Sequence, residues 1–353
     1  MNRYNFSLEL GIQNEVGVMT VSVRDVAREA GVSVGTVSNV LNNPEKVART
    51  TVERVRAAIN ALGFVRNDAA RQLRAGRSRT IGLVVLDVRN PFFSDLARGA
   101  EELALDHQMS VLLANSDEDK AKEDHLVSVF EEQRVAGLLV SPVGKDFTNL
   151  YSARKRGIPI VLVDRKSPDG KLCSVSVDDV VGGQIAVEHL IRLGRRRIMF
   201  TGGPRGIEQV SDRLKGAKIA ASTHPQVSLE FVETKSMTAI AGSLVGQEIL
   251  NRRPPDRPDA IFAANDLLAL GILQSLISAG GVRIPEEIAI VGYDDIPYAS
   301  TAVVPLSSIR QPASQIGAKA VEILLKETEV PRSQEGVQII FQPELMVRAS
   351  SQG

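Results

Sequence analysis

Six short sets of polar and aromatic residues are the groups in this sequence that could hold a small molecule. They are Asn90-Pro91-Phe92-Phe93, Asp164-Arg165, Ser211-Asp212-Arg213, Asn265-Asp266, Tyr293-Asp294-Asp295 and Gln311. They supply carboxylates, primary amides and guanidinium groups, which donate or accept several hydrogen bonds at once. Two adjacent rings stand among them in a chain with only 4% aromatic residues. Each set alone reads as a helix cap, a surface ion pair or core packing. Their shared position makes them a group, because each follows an apolar run of strand length.

Those runs lie at 81–86, 109–114, 136–140, 159–163, 197–201, 229–232, 259–264 and 288–293, with amphipathic stretches between them. Alternating strands and helices imply parallel sheets with helices on both faces. Eight runs are too many for one core, so two lobes are expected. In open α/β sheets ligands lie at the carboxyl ends of strands, where the six sets fall. Strand-like segments at 173–178 and 306–310, and a third near 328–336, read as crossovers between the lobes. This gives an N-terminal lobe of 80–177 plus 308–328 and a C-terminal lobe of 178–307 plus 329–353.

The first eighty residues differ in kind. Residues 20–80 hold eleven Lys and Arg against five Asp and Glu, although the whole chain has a net charge of zero. A basic head on an acidic body points to a polyanion-binding module joined to a different one. Ser22 and Asp25 read as a capping box opening a helix over about 24–30. Gly31 supplies a tight turn, and Ser33 caps a second helix over about 34–42. Thr50 and Glu53 read as another capping box, opening a third helix that ends at Leu62 with Gly63 as its cap. Ala27, Gly31, Val37 and Val40 have the spacing of a helix-turn-helix, whose second helix enters the DNA major groove. Residues 20–66 form this head, and 67–79 a short helix and linker. Residues 1–19 read as a disordered tail, or as preceding a true start at Met19.

Other chemistries find little support. Gly31-Val32-Ser33-Val34-Gly35 matches the G-x-S-x-G elbow of hydrolases, but an amphipathic helix precedes it where a buried strand is required. The four histidines lack metal-ligand spacing, and no Walker A sequence occurs. The single cysteine, Cys173, excludes an internal disulfide and reads as a buried apolar residue. No catalytic residue, metal or cofactor is expected. Neither a secretory leader nor an apolar run of about 18 residues is present, so a cytoplasmic protein without membrane contact is expected. Arg195-Arg196-Arg197 reads as a solvated face. The absence of a C-terminal heptad tail favours a dimer over a coiled-coil tetramer.

The segments SVRDVAREAGVSVGTVSNVLN and NDAARQLRAGRSRTIGLVV resemble the LacI/GalR family of bacterial transcription regulators, from about Thr20 to Ser350. The resemblance implies an α/β protein with an all-α helix-turn-helix head and a two-lobed, doubly wound parallel-sheet body like periplasmic binding proteins. It implies a homodimeric repressor on a palindromic, double-stranded DNA operator, controlled by a small-molecule effector. Base-reading positions then fall at Val34, Gly35 and Asn39, of which only Asn39 hydrogen-bonds strongly and suits adenine. Ser33, Thr36, Ser38 and Asn43 fit phosphate contacts. Ala70, Arg71 and Leu73 would lie in a hinge helix, with Leu73 wedged between base pairs.

The body is similar to ribose-type sugar binders. That likeness assigns Asn90, Phe92, Phe93, Asp164, Arg165, Arg213, Asn265, Asp294 and Gln311 to a sugar-like effector, whose binding would release DNA. Rings cover the C–H faces of a sugar, and Asp, Asn and Arg bind neighbouring hydroxyls. Lys218 stands where such binders carry an aromatic residue, and Ser141 where they often carry Asn, so ribose itself is not implied. A purine or sugar-phosphate corepressor is the alternative, and a solute-binding protein a distant one.

Overall fold

The computed structural model describes residues 21–65, 78–278, 282–329 and 335–352. The chain divides into two compact units, residues 1–76 and 77–353. Residues 1–19 and the expected hinge positions Ala70, Arg71 and Leu73 lie outside the described residues.

In the first unit the Ser22–Asp25 capping box is closed. The Asp25 amide donates to Ser22 Oγ at 3.4 Å and the Ser22 amide to Asp25 Oδ2 at 3.0 Å, starting α1 (Val23–Glu29). These bonds from Ser22 hold the Asp25 carboxyl below its ordinary range. Gly31 adopts φ +63°, which costs little only without a Cβ, and leads into α2 (Val34–Asn42). The third helix, α3 (Arg49–Leu62), ends on Gly63 at φ +61°. Its start departs from expectation. Ala48 is the N-cap, without a side-chain hydrogen bond. Thr50 is already inside the first turn, where its hydroxyl cannot cap, and Glu53 accepts from Arg49 Nε at 3.3 Å. Val26, Ala27, Val37, Val40, Val52 and Val55 form the buried centre of the three helices.

The second unit contains two six-stranded sheets. The first takes β1 (Thr80–Val85), β2 (Ser110–Asn115), β3 (Gly137–Val140), β4 (Ile160–Val163), β5 (Cys173–Val177) and β11 (Gln338–Phe341), in the order β11-β5-β4-β3-β1-β2, all parallel. The second takes β6 (Arg197–Gly202), β7 (Ser228–Glu233), β8 (Ala260–Ala263), β9 (Ala289–Asp294), β10 (Ser307–Arg310) and β12 (Glu344–Met346), in the order β12-β10-β9-β8-β6-β7. Only its β10–β12 pair is antiparallel. All eight expected apolar runs are strands. The central ones are buried end to end, as parallel strands between helical layers must be.

Helices pack on these sheets in pairs. On the first lobe α4 (Pro91–Asp106) lies against α12 (Ala313–Glu329), and α5 (Lys120–Glu132) against α6 (Thr148–Lys155). On the second, α7 (Asp179–Arg192) lies against α8 (Glu208–Ser222), and α9 (Ala239–Asn251) against α10 (Asp266–Ser278). A short helix, α11 (Pro297–Thr301), follows β9. The α7–α8 pair is so close that a Cβ on Gly216 would meet Val180 O at 1.9 Å. One on Gly183 would meet Arg213 O at 2.1 Å.

Two lobe boundaries differ from expectation. Residues 307–310 pair with β9 in the second sheet, so the chain returns to the first lobe only at 311–312. Residues 338–341 pair with β5, so that part of the expected second-lobe segment 329–353 belongs to the first. Ile339 and Phe341 alternate with exposed neighbours and pack on the core of that sheet, the period-2 pattern of an edge strand. The lobes are therefore joined at residue 178, at 311–312 and at 342–343. The arginine run is also more structural than expected. Arg195 donates to the Glu286 and Pro285 carbonyls, Arg196 to that of Ile191, and Arg197 to that of Arg257.

Candidate functional site

A cleft between the lobes is lined by strand ends and helix starts. Asn90 caps α4, its Oδ1 accepting the Phe92 amide at 3.1 Å. Its Nδ2 reaches across to Asp294 Oδ2 at 2.8 Å. Gln311 Nε2 donates to the other Asp294 oxygen at 2.8 Å. Phe92 and Phe93 are both buried, their rings edge to face at 5.1 Å and 72°. From the end of β4, Asp164 accepts from Gln209 Nε2 at its backbone oxygen (2.7 Å) and at Oδ2 (2.8 Å). Asn265 donates to Met237 O at 3.0 Å and accepts the Leu268 amide at 2.9 Å.

Arg213 anchors the second-lobe wall. Its Nε donates to Asp179 Oδ1 at 2.8 Å and one NH to Ala264 O at 2.6 Å. That same NH lies 3.9 Å from Asp294, and the guanidinium sits 3.6 Å over the Tyr293 ring. Burial alone would depress its pKa, but Asp179, Tyr293 and Asp294 outweigh that and raise it. Burial pushes the Asp294 carboxyl up despite Arg213 and the two amides. It pushes Asp164 to about 8, with Asp179 adding to the rise. Asp164 and Asp294 hold φ of +57° and +103°, unusual values for residues with a Cβ that their surroundings must enforce. Two buried acceptors here, Asp164 Oδ1 and Gln311 Oε1, have no partner among the described residues.

Of the nine expected cleft residues, eight line this cavity: Asn90, Phe92, Phe93, Asp164, Arg213, Asn265, Asp294 and Gln311. Arg165 does not. It turns to Glu208, 3.4 Å away, and lies 5.7 Å from the Phe147 ring centre. The cavity also takes Leu86, Asp87, Glu118, Ile207, Gln209 and Met237, none of which was among the expected residues. Glu118 and Met237 obey the rule that found the others, since they follow β2 and β7. Gln209 stands one helical turn before Arg213, on the same face. Burial, reinforced by Asp87, raises the Glu118 carboxyl to about 7.

On the first unit, α2 exposes Ser33, Val34, Gly35 and Asn39, and half-exposes Thr36 and Ser38, with Asn43 at its end. Ser33 Oγ accepts the Thr36 amide at 3.1 Å and lies 2.9 Å from Thr36 Oγ1. Both hydroxyls are thus tied to the helix start. Ser38 receives Asn42 Nδ2 at its carbonyl oxygen, 2.9 Å away. Asn39 is left facing solvent between them.

Known proteins share both halves. Residues 22–67 match the model of bacterial regulatory proteins of the lacI family, and residues 187–351 that of a periplasmic binding protein-like domain. The ribose operon repressor of Bacillus subtilis is 34% identical over 304 residues, covering 86% of this chain and 90% of that protein. The chain belongs to the lacI family. The lac repressor dimer bound to operator and the anti-inducer ONPF superposes with a TM-score of 0.81 at 27% identity, covering 94% of this chain and 99% of that one. A LacI family regulator from Enterococcus faecium with bound ribose superposes at 0.68 and 28% identity, covering 77% and 98%.

As a lacI-family member the protein is a helix-turn-helix, DNA-binding transcriptional regulator. No helix among the described residues is long and apolar enough to cross a membrane.

Proposed function

We propose that this lacI-family regulator is a cytoplasmic repressor without catalytic activity. It binds a palindromic operator as a homodimer and is released by a neutral, sugar-like effector in the interlobe cleft. The observation that carries the effector reading is the convergence on Asp294 of a first-lobe donor, Asn90, and a donor in a crossover, Gln311, beside two buried rings. Adjacent hydroxyls can bond to the same groups while the rings cover a C–H face. A ligand that touches both lobes favours the arrangement in which both can touch it. In a dimer this would alter the spacing of the paired first lobes and of the hinge segments that hold Ala70, Arg71 and Leu73. Related proteins named for the ribose operon or holding ribose support the same class.

The cavity's charge selects within that class. Asp87, Glu118, Asp164 and Asp294 face it, with Arg213 as the cation, and Arg213 already pairs with Asp179. A phosphate there would find one cation, already paired, among four carboxyl groups, which disfavours the sugar-phosphate alternative. The dimer reading draws on the edge strand β2, where Leu112 is 50% and Leu113 46% exposed, and on α9, where Ile240 and Leu244 are exposed. Apolar residues grouped on an edge and a helix face are a protein contact surface.

A thermal-shift screen of the purified protein against pentoses, hexoses, disaccharides, sugar phosphates and purines tests the effector class. A ligand that binds only the folded state raises the midpoint. A free sugar should do so and should weaken binding to operator DNA selected by the protein from a random duplex pool. A rise with phosphates or purines alone would overturn the sugar reading.

A further inference from the structure

The outer face of α8 borders a groove that the effector cleft does not use. The inner face of this helix packs on α7 at Gly216 and carries Gln209 and Arg213 to the cleft. Leu214, Lys215, Lys218 and Ile219 lie on the other face, between Ser211 and Ser222. They recur at intervals of three and four residues, the spacing of one helix face. Arg205, in the turn after β6, closes the Ser211 end, where its carbonyl accepts from Ser211 Oγ at 2.9 Å. The groove is open and measures about 560 Å³.

Its floor is apolar and its charge is of one sign. Leu214 is buried, while Ile219 is 40% exposed between the lysines. No carboxylate lines the groove among the described residues. Glu208 and Asp212, on the same helix, face a different cavity. The Arg205 guanidinium is braced, 4.4 Å over the Phe231 ring with Nε 3.3 Å from Glu233. Lys215 and Lys218 are exposed, and neither has an ion-pair or hydrogen-bond partner among the described residues. Ser222 Oγ donates to Ile219 O at 2.7 Å, so both serine oxygens remain acceptors. Residues 81–353 hold 35 Asp and Glu against 30 Lys and Arg. A groove lined only by cations therefore runs against the charge of the body around it.

An occupant that fits must bring anionic groups, an apolar side chain and N–H donors. An acidic peptide brings all three. Duplex DNA carries one charge per about 1.7 Å, far denser than three cations of which one is shared with Glu233, and it has no aliphatic side chain to cover Ile219. We propose that the outer face of α8 docks an acidic, amphipathic segment of a partner protein. Its carboxylates pair with Lys215, Lys218 and Arg205, and its aliphatic side chain rests on Leu214 and Ile219.

Fluorescence anisotropy of a labelled synthetic peptide of acidic pairs alternating with leucines, titrated with the full chain, tests this. Two probes of the same length accompany it: the peptide with serine for every leucine, and single-stranded DNA. The leucine peptide should bind roughly tenfold tighter than the serine peptide, and its affinity should fall as salt rises. Lys215→Gln with Lys218→Gln should weaken it roughly fivefold, and Ile219→Ser should weaken it to a similar extent. All three side chains are exposed, so the melting temperature and operator affinity should match the parent's. The head is basic as well, so leucine-peptide binding indifferent to these substitutions would place the peptide elsewhere and overturn the proposal. Absence of binding would overturn it too, as would tighter binding of the serine peptide or of the DNA that is lost with the two lysines.

Discussion

Asn90 and Asp294, 204 positions apart in the chain, meet through one 2.8 Å hydrogen bond between the lobes. Asp294 also accepts from Gln311, so one carboxylate gathers the end of a second-lobe strand, the cap of a first-lobe helix and a crossover. Asp294→Asn keeps the shape and removes the charge. We expect effector affinity to fall more than tenfold, about 1.4 kcal/mol, with operator affinity unchanged. Parallel titrations with effector and with operator check this, and an unchanged effector constant would remove Asp294 from the site.

Arg213→Ala should do more harm. It strands the buried Asp179 and Asp294 carboxylates, a loss of roughly 3–5 kcal/mol where one partner of a buried pair is removed. Chemical denaturation would show a lowered midpoint together with a lost effector response. A variant as stable as the parent would mean that the pair contributes little.

On the DNA side, Asn39→Ala should cost about 1–3 kcal/mol and relax the preference for adenine at one operator position. The salt dependence of binding should stay the same, because no phosphate contact is lost. Leu73→Ala should weaken specific binding far more than non-specific binding. Competition assays on operator and random DNA separate these outcomes, and equal losses on both DNAs would contradict the wedge role.

Glu118 gives a pH signature. Its carboxyl is raised from its usual range to about 7, chiefly by burial. Between about pH 4.5 and 7 the folded chain therefore holds a proton that the unfolded chain has lost, so stability falls as pH rises through that window. Glu118→Gln should remove this slope. It should be more stable than the parent at pH 8 and no different at pH 4.5, as melting curves across the range would reveal.

Gly216→Ala should cost about 1–3 kcal/mol, since its Cβ would lie 1.9 Å from Val180 O and the helices must part. Because Arg213 rides on the same helix, the effector response should weaken as well. A crystal structure of the variant with α7 and α8 unmoved would refute this.

The strands and both turns of the head were legible because period and punctuation coincide there. Gly31 and Gly63 sit where the helices stop, and both have positive φ. The cleft was legible through strand ends, which delivered Asn90, Asp164, Asn265 and Asp294. That rule gives the address of a side chain and not its direction: Arg165 follows β4 yet turns to Glu208, while Glu118 and Met237, which follow β2 and β7, face the cavity. Thr50 misled because a capping box is defined by spacing that also occurs inside a first turn. The late strand β11 was hidden because four alternating residues carry little periodic signal, and its partner β5 lies far away in the chain.

The three crossings between the lobes are each one or two residues long, at 178, 311–312 and 342–343. Two of them contain proline, Pro312 and Pro343, which fixes one backbone angle. From Phe341 to Glu344 the chain cannot span more than about 11 Å. Three short tethers along one seam forbid the lobes from separating or sliding and leave a single soft motion, rotation about that seam, as pages turn on a spine. An effector that closed the cleft would therefore act as an angle, and the displacement it produced would grow with distance from the spine.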